Sequence, residues 1–181
     1  MHMKFAVIVL AIAGLVGCTS TKAPDVAGNV HNSLQQAGLK DVSVTQDRDK
    51  GVVTLGGHVT QQSDKDRAAQ IAQSVAAGQT VANEIAVLPA GAEATAKDVN
   101  ADMDKGIENN LDAALTQAGI KGVRHDTKNG VVTLKGDVET PARRAEAERV
   151  AASVPNVQQV VNELDVRNRR ARSSGDADRS R

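Results

Sequence analysis

GVVTLGGHV at residues 51–59 returns as GVVTLKGDV at residues 130–138, 79 positions further on. At period two, Gly51, Val53, Leu55, Gly57 and Val59 share one side, as do Gly130, Val132, Leu134, Gly136 and Val138 in the second copy. Side chains alternate across a strand, so the pattern predicts a strand with one buried face. A long internal repeat means two copies of one folding unit. The 181 residues then divide into two units of roughly 60 to 75 residues, each with a thin core.

The flanks of the first copy set the order of elements. Val26, Val30 and Leu34, with Ala27 and Ala37 beside them, form the apolar stripe of a helix that Gly38 terminates. Val42 and Val44 alternate with Ser43 and Thr45 as a strand, and the polar turn Asp47, Arg48, Asp49, Lys50 joins it to the repeat as a hairpin. Beyond Val59, Ser63 with Asp66 predicts a capping box with Asp in place of Glu, ahead of the helical stripe Ala68, Ile71, Ala72, Val75. Gly78 breaks that helix, and Val81, Ile85 and Val87 alternate as a third strand that Pro89 ends. The order is helix, strand, strand, helix, strand.

The second copy repeats it. Ile107, Leu111, Leu115 and Ala118 form the first stripe, closed by Gly119. Val123 and His125 sit on the first strand, and Lys128-Asn129-Gly130 makes a turn two residues shorter than its counterpart. Pro141 suits a helix's first turn; Ala147, Val150, Ala151 and Val154 face inward, Pro155 stops the helix, and Val157, Val160, Leu164 and Val166 complete the last strand. The expected fold class is α+β, with domains at 26–88 and 102–167 and a linker at 89–101 whose alanines allow the next helix to start early.

The N-terminal leader has its own logic. Lys4 gives a basic start and residues 5–16 an apolar run, too short to cross a membrane and suited to a signal-peptide core at 1–17. Leu15, Val16, Gly17 and Cys18 resemble the lipobox of bacterial lipoprotein precursors. That resemblance implies cleavage before Cys18, a diacylglycerol on its sulfur and an acyl chain on its amine, with residues 18–25 as a lipidated tether. Thr19 rather than Asp after the cysteine implies sorting to the outer membrane, facing the periplasm. Buried acyl chains contribute ~0.8 kcal/mol per methylene, and two or more hold a protein stably on a membrane. As the only cysteine in the chain, Cys18 makes no intrachain disulfide.

Composition narrows the function classes. Formal charge balances at 22 basic and 22 acidic residues, so no global field draws the chain to nucleic acid, and one Phe with no Tyr or Trp leaves no stacking platforms. His2 lies in the leader, and His31, His58 and His125 lack metal-ligand spacing. His58 is replaced by Asp137 in the other copy, and Ser63, Ser74 and Ser153 lack a nucleophile-elbow context. These readings predict a protein that is not an enzyme and carries no metal or cofactor.

Each copy resembles a BON domain. The resemblance rests on Gly51, Val53, Leu55, Gly57, Val59 followed by Val81, Asn83, Ile85, Val87, and on Gly130, Val132, Leu134, Gly136, Val138 followed by Val160, Asn162, Leu164, Val166. It implies two tandem α-β-β-α-β units, each a three-stranded mixed sheet covered by two helices. With the leader, it implies a dual-BON lipoprotein that maintains the cell envelope by binding phospholipid. The membrane-facing helix of such relatives begins domain 2; here it carries Asp102, Asp104, Glu108 and Asp112 against Lys105 alone. Candidate contacts to anionic lipid are instead Arg143, Arg144, Arg167, Arg169, Arg170 and Arg172, the last three in a basic tail at 168–181 expected to be disordered. The rival expectation is a periplasmic protein-interaction adaptor or chaperone-like module that engages envelope proteins without binding lipid. Asn83 and Asn162 are expected to satisfy backbone groups, and Gly57 and Gly136 to bend their strands where a helix packs close.

Overall fold

A computed structural model describes residues 22–167. The leader, the Leu15-Val16-Gly17-Cys18 motif and Arg169, Arg170 and Arg172 lie outside the described residues. The first unit comprises α1 (Ala27–Gln36), β1 (Val42–Asp47), β2 (Val52–Val59), α2 (Gln62–Val75), β3 (Thr80–Asn83) and β4 (Ala86–Val87). The second comprises α3 (Glu93–Gln117), β5 (Val123–Lys128), β6 (Val131–Val138), α4 (Pro141–Ala152), β7 (Gln159–Asn162) and β8 (Asp165–Val166). In each unit the repeated strand is central, antiparallel to the strand before it and parallel to the two that follow.

The expected stripes meet on one face of each sheet. Val30 and Leu34 of α1 and Ala68 and Ala72 of α2 cover Val53 and Leu55; Ile107, Leu111, Ala147 and Ala151 cover Val132 and Leu134. Gly38 and Gly119 follow their helices with φ of 82° and 66°, the left-handed conformation in which glycine ends a helix. Thr140 caps α4 by accepting the Arg143 N–H at 3.1 Å, with Pro141 in the first turn.

Four features differ from the sequence reading. The expected third strand is two short pieces in each unit, because Gly57 (φ 89°) and Gly136 (φ 118°) kink the central strand and the neighbour loses its ladder opposite the kink. What approaches these glycines is a carbonyl, of Asp41 and Gly122 respectively, rather than a helix. Ser63 and Asp66 form no capping box: Gln61 occupies the N-cap of α2 without a side-chain bond to the helix backbone, the Ser63 hydroxyl donates to Gln61, and the Gln62 amide takes Asp66. Helix α3 starts at Glu93, so most of the segment read as linker is helical; the Glu93 carboxylate accepts the Gly91 N–H at 2.9 Å. A bond from its own N–H, and after it the one from Gly91, hold the Glu93 carboxyl below its ordinary range.

Candidate functional site

The repeated strands are buried on both faces at their first residues. Val52 and Val131 point away from the cores, yet they are 5% and 2% exposed, packed with Ala82 and Val161 in a cluster shared by the two units. These residues are repeat equivalents, 79 positions apart, so the units meet through the same patch under an approximate two-fold relation. Polar contacts frame the patch. The Gln159 side chain donates to the Val81 carbonyl (2.6 Å) and accepts from the Asn83 N–H (3.1 Å), closing the open edge of β3. Asn129 donates to the Glu84 carbonyl at 2.8 Å, and Lys128 pairs with Glu84 at 3.4 Å. The shorter second turn builds this contact: Asp104 accepts the Asn129 and Gly130 N–H groups at 2.7 and 2.9 Å and so fixes the turn against its neighbour. Consecutive Val52-Val53, Val131-Val132 and Val160-Val161 were the available signal, since unbroken apolar runs suit strands covered on both faces.

Lys65 is the most deeply buried charge at this junction, 6% exposed. Its ammonium reaches only the Asn129 carbonyl at 3.5 Å and the Gln158 amide oxygen at 3.4 Å. Burial lowers its pKa, opposed by the charges of Asp66 and Asp104. It lines a cavity of about 310 Å³ between the units, with Ile85, Met103, Ile107 and Gln158 in the wall. Asn83 and Asn162 play equivalent structural roles: their amide groups donate to the carbonyls of Lys65 (3.0 Å) and Arg144 (3.1 Å), tying each second helix to its last strands.

The candidate lipid contacts separate. Arg143 and Arg167 come together with Lys121 around a cavity of about 350 Å³ at the end of domain 2. Arg143 pairs with Glu146 at 2.9 Å and Arg167 with Asp137 at 3.7 Å. Arg144 does not join them; it donates to the Asn162 carbonyl at 2.9 Å. Two of the acids of α3 have local partners, Asp104 at the turn and Asp112 at His125, 2.9 Å away. Among the described residues no group of three or more His, Cys, Asp or Glu side chains is placed to hold a metal ion, and no helix is long and apolar enough to cross a membrane.

Duplicated mixed sheets, each with two helices on one face and the pair joined through the other, define a tandem α+β module protein. The chain belongs to the BON domain family, whose model matches residues 23–89 and 103–168. It is 31% identical over 129 residues to osmotically-inducible protein Y of Escherichia coli (strain K12), covering 70% of this chain and 63% of that one. The chain therefore matches less than two thirds of that relative's length. Two structures of CdsD, a structural protein of the type III secretion system of Chlamydia trachomatis, also match. Its C-terminal domain matches with TM-score 0.34 and 13% identity over 80% of this chain and 98% of that chain. The other structure gives TM-score 0.36 and 14% identity over 77% and 91%.

Proposed function

We propose that this chain is a non-catalytic envelope-maintenance protein of the periplasm, held on the outer membrane through acylated Cys18, whose folded part binds anionic phospholipid. The observation that carries this reading is the convergence of Lys121, Arg143 and Arg167 on one cavity, which Asp137 and Glu139 also line, at the point where the sequence continues into Arg169, Arg170 and Arg172. Juxtamembrane basic residues contribute about 1 kcal/mol each near an anionic surface, so the tail arginines add to this group, in which Arg143 and Arg167 also pair with Glu146 and Asp137. Asn162, the polar side chain on the inner face of the last strand, is occupied in the fold: its amide donates to the Arg144 carbonyl and Glu148 and accepts from Leu164. Co-sedimentation of protein lacking residues 1–18 with phosphatidylglycerol vesicles tests the reading, and pelleting that salt reverses is the expected outcome. Metabolic labelling with a palmitate analogue tests the anchor: Cys18→Ala abolishes labelling if the lipobox reading holds, and unchanged labelling refutes it.

A second reading is favoured by Val99 and Met103, which are 51% and 42% exposed on α3. Apolar side chains so exposed on a helix suit a protein partner, in keeping with an adaptor or chaperone-like module. Salt-insensitive capture of an envelope protein without vesicle binding would select that reading.

A further inference from the structure

The two ends of the described chain leave from one pole of the molecule. At the N-terminal side, residues entering α1 are fastened to the tip of the β1–β2 hairpin. Ala23 donates its N–H to the Arg48 carbonyl at 2.9 Å, and the Arg48 side chain returns a bond to the Ala23 carbonyl at 2.8 Å. The Pro24 carbonyl accepts from Gln46 and Gln79 at 2.8 and 3.0 Å, and Lys22 pairs with Asp49 at 3.2 Å. The next hairpin residue, Lys50, crosses to the other unit and holds Asp165 of β8 at 2.7 Å. Arg167, two residues on, closes the ladder by donating to the Val138 carbonyl at 2.9 Å. Entry and exit are thus linked through adjacent residues, Asp49 and Lys50.

We infer that this pole is the surface that faces the bilayer and that its occupant is an anionic phospholipid headgroup layer. The inference rests on the proposed lipid anchor and adds the orientation in which the folded part meets the membrane. Three residues lie between Cys18 and Lys22, so four steps of about 3.5 Å put Lys22, which holds Asp49 of the hairpin, within roughly 14 Å of an acylated Cys18. Charge fits the occupant. Three acids of the pole are ion-paired: Asp49 holds Lys22, Asp165 holds Lys50 and Asp137 holds Arg167, whereas Asp47 accepts only the Asp49 and Lys50 N–H groups and Glu163 lines a cavity with Arg124 and Lys135. Arg48, bonded to a neutral carbonyl, and Arg124 and Lys135, which line a cavity of about 270 Å³ beside Lys50, form no ion pair among the described residues. Against the three cations Arg48, Arg124 and Lys135 stand the two carboxylates of Asp47 and Glu163, so one positive charge is left at this end. Helix α3 lies the other way: it follows β4, which pairs with His58 and Val59 at the end of β2 remote from the hairpin, so Val99 and Met103 are carried away from the anchored pole.

The test uses the full-length acylated protein in vesicles of phosphatidylethanolamine and phosphatidylglycerol that carry headgroup nitroxides. A fluorophore is placed at Thr45→Cys, on β1 near the hairpin, or at Val99→Cys on α3. Quenching at position 45 is expected to exceed that at 99 by roughly twofold or more, and the excess should shrink when neutral phosphatidylcholine replaces phosphatidylglycerol or when about 1 M salt shortens the screening length to about 3 Å. Stronger quenching at 99, equal quenching at both sites including none at either, or an excess indifferent to lipid charge and salt would each overturn the orientation. Co-sedimentation of the unacylated chain reports separately on the lipid-binding reading. A chain that pellets but shows no preference for position 45 keeps that reading and loses this one.

Discussion

Lys65 illustrates how one residue can be correct in type for a surface helix and buried all the same. It stands one turn before Ala68 at the edge of the buried side of α2, and its ammonium turns to Asn129 and Gln158 of the second unit. Burial lowers its folded pKa while the unfolded chain keeps the ordinary 10.5. Between those two values the unfolded state binds more protons, so stability rises with pH across that window and is level below it. Urea unfolding from about pH 8 to about pH 10.5 should show the rise in the native chain and its loss in Lys65→Met; an identical slope in both contradicts the assignment. Gly136 is the complementary case, where a side chain cannot be admitted. Its φ of 118° and the Gly122 carbonyl against it exclude a Cβ, whereas Gly119, at φ 66°, has open space. Gly136→Ala should cost about 2 kcal/mol or more and Gly119→Ala about 1 kcal/mol, measured by denaturant unfolding. Equal losses would mean that the carbonyl yields.

Each element's existence could be read from periodicity, because every helix and central strand buries a stripe against its own sheet. Val30 and Leu34, Ile107, Leu111 and Leu115, and Val53 and Leu55 with their counterparts all point where their spacing requires. What could not be read depends on neighbours distant in sequence. Ser63 and Asp66 fit a capping pattern, but Gln61 already has the extended backbone of an N-cap, and helix starts are fixed by backbone geometry as much as by side chains. The third strand breaks because a glycine two elements earlier kinks the ladder. The two-residue deletion in the second hairpin is visible in the sequence, but its purpose depends on Asp104, a residue of the preceding helix that holds the Asn129 and Gly130 N–H groups. Asp104→Ala should therefore cost about 2 kcal/mol, the scale of bonds to a charged acceptor. Amide exchange should quicken at Asn129 and Gly130. Unchanged stability and exchange would remove Asp104 from that role.

At the scale of the whole molecule, the junction makes two thin cores into one body. Sequence parity left Val52, Ala82, Val131 and Val161 on the open faces of their sheets, because nothing local says that two repeats will bury the same patch against each other. Val161→Glu places a carboxylate in that patch. It should separate the units while sparing the residues of both cores, giving a larger radius in solution scattering and two unfolding transitions in place of one. A compact variant with a single transition would contradict the interface. The candidate lipid contacts show the same division: the sequence offers Arg143, Arg144 and Arg167 alike as basic residues, but only the fold joins two of them with Lys121 and assigns Arg144 to Asn162. Vesicle binding by the folded part is the central claim, and the most direct measurement is the affinity of protein lacking residues 1–18 for phosphatidylglycerol vesicles, with and without Arg143→Gln and Arg167→Gln together. The account predicts salt-reversible binding that the double substitution weakens roughly 30-fold, as about 1 kcal/mol per arginine requires. No binding by the unsubstituted protein, or equal binding by both, would contradict it.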